Sequence, residues 1–486
     1  MAQNVFCGEG AMQQFLDPRE HVTPLVELPI YLNPYYQDWV KIFLKLQTFL
    51  PLGNIKSISA RGMLQNGLQS AEESPLHTLV ENSSWNTAFS LAVLGRSMWI
   101  PHMRAWISNE TTPWKLKLLQ IFGVHPVVNQ EQICPNPNDK KSWIYKAKKE
   151  WEQEWWFNPD QYHNLANPQI HYDLTGKQIW NQVRDLDSEY HFQIFCAGLG
   201  TTGTFIGISK YLKDQKSDFF ALWVVRKPNN PISGPRTRKL LQQIGFDWES
   251  MVDGMQEVSS KQAYETSLNL IRSGLVVWPS SGMAVAGLFN HLQEMKDTWE
   301  LQKKVEKDWI LSAIVVCPDG PYPYFDEYFK YCEASLFPSI ENQYLLLEKR
   351  HINSDDIDEN LFWIDALSAY EELYTLESRN NVLTSQFNPN LVLNSELVLV
   401  DLRSEAEFDH VHLVWATHMD FDELQPNAFD NYRWKKIVLL CQYGKKSAYL
   451  AQKLNENWFQ VSSILWWLVS WSDLWLPRIV AEECKL

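Results

Sequence analysis

The chain has 486 residues, with 43 Lys plus Arg against 58 Asp plus Glu and a formal net charge of −15. That balance excludes a nucleic-acid or anionic-membrane surface as the main partner, since both require a basic field. Seven cysteines with no Cys-x-x-Cys pair fit a reducing cytosol better than a disulfide framework.

The length allows two to four domains with ample chain for a core. The opening Met1-Ala2-Gln3-Asn4-Val5 lacks the basic and apolar segments of a secretory signal, so a cytoplasmic location is expected. Taken in order, residues 21–28 read as an edge strand entered through a proline turn, and 39–50 as a helix. Next comes Gly53-Asn54-Ile55-Lys56-Ser57-Ile58-Ser59-Ala60, a lysine at the start of a helix-forming run among small and apolar neighbours. Burial there depresses an amine's pKa and prepares it for Schiff-base chemistry. Residues 76–81 read as a strand and Asn82-Ser83-Ser84-Trp85-Asn86-Thr87 as a loop opening a helix over 88–95, a place to hold an anion or an ordinary N-cap.

Strand-like runs at 97–100 and 124–128 alternate with a helix over 113–122, the pattern of a parallel α/β sheet. In 140–157, Trp143, Ala147, Trp151 and Trp155 recur every four residues, predicting an amphipathic helix with an aromatic stripe for the core or a subunit contact. The apolar strand 191–197 runs into Gly198-Leu199-Gly200-Thr201-Thr202-Gly203-Thr204 and a helix over 205–212, an arrangement that cradles phosphate with backbone amides and hydroxyls. Residues 275–278 read as another strand, followed by Pro279-Ser280-Ser281-Gly282 and a helix. Loops at the C-terminal ends of parallel strands face one crevice.

Together these pieces resemble the cysteine synthase and cystathionine β-synthase family of pyridoxal-phosphate enzymes. The matches are Thr23-Pro24-Leu25-Val26, a cofactor lysine at Lys56, the family's Thr-Ser-Gly-Asn-Thr loop at Ser83-Ser84-Trp85-Asn86-Thr87, and Gln161-Tyr162-His163-Asn164-Leu165-Ala166-Asn167-Pro168. They continue with the Gly-Thr-Gly-Gly-Thr phosphate loop at Gly200-Thr201-Thr202-Gly203-Thr204 and the serine facing the pyridine nitrogen at Ser280. The resemblance implies a two-lobed α/β domain like the β-subunit of tryptophan synthase, over 1–335, with parallel sheets covered by helices on both faces. It further implies pyridoxal 5'-phosphate on Lys56, Asn86 oriented to the phenolic oxygen, and the substrate carboxylate held by Ser83, Ser84, Thr87 and Gln161. Lys56 would then remove the α-proton as general base, and a homodimer is expected. Four departures stand out: Trp85, Ala88 and Thr202 each replace a family glycine, and Pro231-Ile232-Ser233-Gly234-Pro235-Arg236-Thr237 stands where a glycine-rich loop is usual. Trp85 implies a reshaped pocket, and Thr202 is tolerable with a negative φ.

Residues 336–392, charged around 348–359 and helical over 362–376, read as a linker with one helix. A fresh, smaller α/β unit then covers 393–486. Its Asp401-Leu402-Arg403-Ser404-Glu405-Ala406-Glu407-Phe408, its His412-Leu413-Val414-Trp415-Ala416 and its loop Cys441-Gln442-Tyr443-Gly444-Lys445-Lys446-Ser447 resemble the rhodanese family, the second segment standing for His-Ile-x-Gly-Ala. Strand 437–440 delivers Cys441 into a loop closing on a helix, where backbone N–H groups with Lys445 and Lys446 would stabilise a sulfur anion. Residues 464–471 are too short to span a bilayer and read as buried helix. No metal-ligand spacing is seen among the remaining cysteines and histidines.

The expected function is β-replacement on an activated serine with a sulfur nucleophile, coupled to the rhodanese-like unit, so the partners are a small amino-acid substrate and a sulfur donor. Elimination from a cysteine-like substrate, with Cys441 capturing sulfur, is the alternative. A catalytically silent cofactor-binding scaffold, motivated by Trp85, is the third.

Overall fold

A computed structural model describes residues 5–70, 76–83, 85–130, 136, 139–150, 155–242, 244–340, 362–380, 391–424, 427–465 and 467–480. The chain divides into two compact units, Met1–Phe337 and Pro338–Leu486.

The larger sheet of the first unit holds β1 (Leu25–Glu27), β2 (Val40–Leu46), β7 (Phe192–Gly198), β8 (Phe220–Arg226), β9 (Gly254–Val258) and β10 (Leu311–Cys317), in the order β1-β2-β10-β7-β8-β9. Only β1 is antiparallel, at the edge. Both faces are covered, and alternation along the strands feeds two cores. Ala313 and Val315 join Ile194 and Cys196 on one side; Ile314 and Val316 join Phe195 and Ala197 on the other. A strand buried on both faces shows a near-continuous apolar run instead of alternation, which is why Val40-Lys41-Ile42-Phe43-Leu44-Lys45-Leu46, expected as helix, is strand β2. Lys45 is fully buried within it, its Nζ donating to Thr23 O and to Gln182 Oε1, both at 2.7 Å.

The smaller sheet holds β3 (Thr78–Asn82), β4 (His102–Ser108), β5 (Val124–Asn129) and β6 (Trp156–Phe157), all parallel, in the order β5-β4-β3-β6. Its helices include α1 (Lys56–Ser70), α2 (Asn86–Ser97), α3 (Pro113–Ile121) and α4 (Trp143–Glu150). The strand expected at 97–100 is instead the end of α2 and its turn, and β4 begins at His102. Of the tryptophan stripe, Trp143 stacks on Trp106 with ring centroids 4.4 Å apart, Ala147 is buried, and Trp155 is 54 % exposed beyond the helix; Trp151 lies outside the described residues. Helices α5 (Gly203–Gln215), α6 (Ser260–Arg272) and α7 (Pro279–Asp297) complete the first unit's main frame. Residues 275–278, expected as a strand, pair with no sheet and lead straight into α7, where Pro279 is at the first turn.

The second unit is built on the parallel sheet β11-β16-β15-β12-β14, from Trp363–Ile364 (β11), Leu397–Asp401 (β12), Thr417–His418 (β14), Lys436–Leu440 (β15) and Val461–Ile464 (β16). Val411–His412 (β13) and Ile479–Val480 (β17) form a two-stranded antiparallel pair beside it. Helix α8 (Ala366–Leu373) packs Ala366, Ala369, Tyr370 and Leu373 into the core with Leu397, Leu399 and Leu413. The segment expected as a linker over 336–392 is corrected here: within its described residues, 362–380 supply an edge strand and a core helix of the second unit. The charged cluster 348–359 lies outside the described residues. Residues 464–471 comprise the end of β16 and the start of α10 (Trp467–Asp473), with Trp467 and Trp471 fully buried.

Candidate active site

Strands β2, β10 and β7 are adjacent and parallel, so the segments after their C-terminal ends open side by side. That register brings together residues 145 and 118 positions apart in sequence: Lys56 after β2, Thr201 after β7 and Asp319 after β10. Ile55 N–H donates to Pro318 O at 2.7 Å, tying the first and third segments. Lys56 Nζ donates to Thr201 Oγ1 at 3.2 Å. These residues line a single cavity. Its walls also carry Gly200, Thr202, Thr204, Ser233, Gly234, Pro235, Ser280 and Asn86. Burial pushes the Lys56 amine down to about 8, against the opposing pull of Asp319 and Glu81, so a substantial neutral fraction exists near physiological pH.

Of the expected cofactor residues, Lys56, Asn86, Gly200, Thr201, Thr202, Thr204 and Ser280 all meet on the cavity wall. Gly203 sits just behind it, at the first position of the 13-residue helix α5. A Cβ on Gly203 would lie 2.6 Å from the Asn167 side chain, so only glycine lets the loop close on that support. Thr202 adopts φ 71°, against the negative φ under which a side chain is tolerated there. The loop turns through a left-handed residue, a conformation that suits the family's glycine and strains a β-branched residue. Its hydroxyl is buried without a hydrogen-bond partner.

The expected carboxylate grip is arranged differently. Thr87 Oγ1 donates to Gln161 Oε1 at 3.0 Å, and Gln161 Nε2 donates to Asn82 O at 3.1 Å. Both side chains are thus engaged with their own support, and neither they nor Ser83 are among the cavity-lining residues. Ser84 lies outside the described residues. Trp85, expected to reshape the pocket, is buried in the core instead, against Phe89 and Phe122 with centroids 5.1 and 6.1 Å away.

Several site residues are not visible to sequence reading. Asp319 is 5 % exposed, and its Oδ2 accepts from Asn86 Nδ2 at 2.5 Å. Burial raises its carboxyl to about 7, while Asn86, Lys115 and Tyr324 pull the other way. Behind it Tyr324 stacks on Trp278, centroids 3.3 Å apart, and Lys115 pairs with Glu327 at 3.3 Å. On the far side of the glycine-threonine loop, His171 Nε2 lies 3.0 Å from Ser59 Oγ and 3.1 Å from Thr204 Oγ1, while Nδ1 lies 2.9 Å from Thr175 Oγ1. Burial, with Lys56 nearby, pushes this imidazole down to about 3, so it stays neutral. Glu81, buried beneath Gln161, accepts from the Gln161 and Asn82 backbone N–H groups and is raised to about 8, mainly by burial. The signal that could have found Asp319 is its place just past the strand now seen as β10, since the other two anchors follow strands in the same way.

In the second unit β15 delivers Cys441, 1 % exposed, to the N-terminus of α9 (Lys445–Glu456). Ser447 N–H donates to Cys441 Sγ at 3.4 Å, and Ser447 Oγ lies 3.3 Å from the sulfur and accepts from Ser463 Oγ at 2.7 Å. Gly444 turns the loop at φ 81°. Gln442, Tyr443 and Lys445 are half-buried. Lys446, expected beside the sulfur, is buried and directs its amine to Asp422 Oδ2 at 3.4 Å. The motif pair Asp401 and Arg403 forms a fully buried ion pair at 2.6 Å, with the guanidinium 4.6 Å from the Trp467 ring centroid. It supports the fold beneath the loop.

The pyridoxal-phosphate dependent enzyme family matches residues 16–300, more than half of the chain and the whole of the cavity's phosphate-loop and lysine walls. The chain belongs to that family. A rhodanese-like domain matches residues 388–472. Among curated proteins, the chain is 29 % identical over 279 residues to cystathionine beta-synthase of Saccharomyces cerevisiae, covering 54 % of each, so it spans about half of that protein's length. It is 28 % identical over 309 residues to cysteine synthase of Aquifex aeolicus, covering 62 % of this chain and 88 % of the relative. Among solved structures, an O-ureido-L-serine synthase superposes with a TM-score of 0.54 at 19 % identity, covering 69 % of this chain and 98 % of the other, which shows the fold.

Pyridoxal phosphate is therefore this enzyme's cofactor, and the residues present fit it. A buried amine at Lys56 stands within hydrogen-bond reach of the glycine-threonine loop, the unpartnered hydroxyl of Thr202 lies in that loop, and α5 begins there, so N–H groups and the helix dipole favour an anion. Among the described residues no group of three His, Cys, Asp or Glu could hold a metal ion, Cys7, Cys196, Cys317 and Cys332 are free thiols, and no helix is long and apolar enough to cross a membrane.

Proposed function

We propose that the first unit catalyses β-replacement on an activated serine with a sulfur nucleophile, and that the rhodanese-like unit handles the sulfur through Cys441. The observation that carries this reading is the convergence of Lys56, the Gly200–Thr204 loop and Ser280 on one cavity. Bound pyridoxal phosphate supplies electron withdrawal that acidifies the Cα–H of an attached amino acid. Lys56 holds the cofactor and, once displaced by substrate, takes the α-proton at its Nζ, a role suited to an amine lowered by burial. Gly200, Thr201, Thr202, Gly203 and Thr204 hold the phosphate end, with His171 steadying Thr204 from behind. Ser280, a hydroxyl and not a carboxylate on the cavity wall, would stand at the ring nitrogen without stabilising a pyridinium, which would favour loss of a β-substituent over transamination. Asn86, pinned by Asp319, would orient the ring through its remaining N–H, and we assign Ser83, Ser84, Thr87 and Gln161 to the substrate carboxylate. The relatives named as cysteine synthase and cystathionine beta-synthase support this reaction class. In the second unit the Ser447 N–H and hydroxyl stabilise an anionic Cys441 sulfur while Lys445 attracts the anionic donor, Lys446 being paired with Asp422. We place the enzyme in the cytosol as a homodimer.

The test is incubation of the purified holoenzyme with O-acetylserine and sulfide, and separately with cysteine alone. Cysteine formed from the first pair supports replacement. Pyruvate and ammonia from cysteine, without cysteine synthesis, overturn it in favour of elimination.

A further inference from the structure

Among the described residues, twelve that are not glycine have a positive φ, and eight of these are tryptophan: Trp39, Trp99, Trp155, Trp299, Trp309, Trp415, Trp458 and Trp475, at φ 54–68°. Three of the other four are Asp160, His191 and Asn229, types whose short polar side chains tolerate left-handed backbone; a bulky aromatic does not. Packing does not hold the eight indoles there either, since their exposure runs from 54 to 91 %. Four tryptophans outside the left-handed region, Trp223, Trp248, Trp467 and Trp471, are packed, each 5 % exposed or less, while Trp434, also outside it, is 94 % exposed.

The eight occupy glycine's places. After α2, Trp99 N–H bonds Arg96 O and Ile100 N–H reaches back to Gly95 O; after α9, Trp458 N–H bonds Asn455 O and Phe459 N–H reaches Leu454 O; after α10, Trp475 N–H bonds Ser472 O and Leu476 N–H reaches Trp471 O. This is the helix-ending motif in which a left-handed residue, normally glycine, releases the chain. In the two family motifs quoted above, tryptophan also stands for glycine, at Trp85 in the Thr-Ser-Gly-Asn-Thr loop and at Trp415 in His-Ile-x-Gly-Ala.

We propose that the eight left-handed tryptophan positions, and position 85 on its motif alone, are decoded as glycine in the cell that makes the protein: their codons are UGA, which different genetic codes assign to termination, tryptophan or glycine, while Trp223, Trp248, Trp467 and Trp471 come from UGG. The fold is then consistent with its own turns. At position 85, glycine lets the Ser83–Thr87 backbone approach a substrate carboxylate; this last consequence alone rests on the β-replacement reading.

The test is tandem mass spectrometry of the protein isolated from its source cells. Glycine is expected in peptides covering positions 85, 99, 309, 415 and 458, with tryptophan retained at 223, 248 and 471; tryptophan at the left-handed sites overturns the proposal, whatever reaction the enzyme performs. A second measurement uses the full recombinant chain. Trp99→Gly, Trp309→Gly and Trp458→Gly each raise Tm by about 2–4 °C, whereas Trp99→Ala, which removes the indole but keeps a Cβ, does not. Lowered Tm in all three glycine variants overturns the backbone argument.

Discussion

Lys56 and Glu81 illustrate how burial alone sets the protonation states the cavity needs. Lys56 is lowered to about 8 because its ammonium loses water, and the carboxylates of Asp319 and Glu81 only partly restore it. Lys56→Ala is expected to reduce turnover about 10³-fold or more and to abolish the visible absorbance of covalently held cofactor, read on the purified protein. In the cofactor-free protein, the rate at which the Lys56 amine captures added pyridoxal phosphate should rise through about pH 8 and then level, because only the neutral amine is a nucleophile. Glu81 runs the other way. Its folded value of about 8 stands above the ordinary 4.5, so the folded state keeps a proton that the unfolded chain has lost, and this contribution to stability falls as pH rises from 4.5 to 8. His171, lowered to about 3 from 6.5, opposes it between those values. Glu81→Gln should therefore gain stability relative to the parent as pH is raised from 4.5 to 8, measured by denaturant unfolding of the cofactor-free form.

At the level of elements, the glycine-threonine turn before α5 combines a left-handed Thr202, a close approach at Gly203 and a hydroxyl relay through His171. Gly203→Ala drives a methyl into the Asn167 side chain. It should weaken cofactor binding at least tenfold, an expectation checked by titrating cofactor fluorescence, while the far-ultraviolet circular dichroism is kept. Helix starts such as Lys56, Asn86 and Gly203 were legible in sequence because they depend on local residue types: a small or polar loop before an apolar helical run. Strand β2 was not, since a strand buried on both faces lacks the alternation that distinguishes it from helix. Asp319 and His171 were missed for a related reason. Their meaning lies in partners such as Asn86, more than 200 residues away, and Thr204, which no local pattern announces. The segment 362–380 looked like a linker because its strand is only two residues long, and its burial depends on the sheet it joins.

For the whole chain, the division into Met1–Phe337 and Pro338–Leu486 has a calorimetric signature. Two unfolding transitions are expected, and added pyridoxal phosphate should raise only the one belonging to the first unit, because a ligand stabilises the unit that binds it. Cys441→Ser should abolish thiocyanate formation from thiosulfate and cyanide without shifting the cofactor's spectrum. The order β1-β2-β10-β7-β8-β9 has a further consequence during synthesis. Strand β10, made last of the six, lies between β2 and β7 and is the one strand that joins β1-β2 to β7-β8-β9. The sheet therefore cannot be completed until residues 311–317 have been translated, and its central pairings are all non-local.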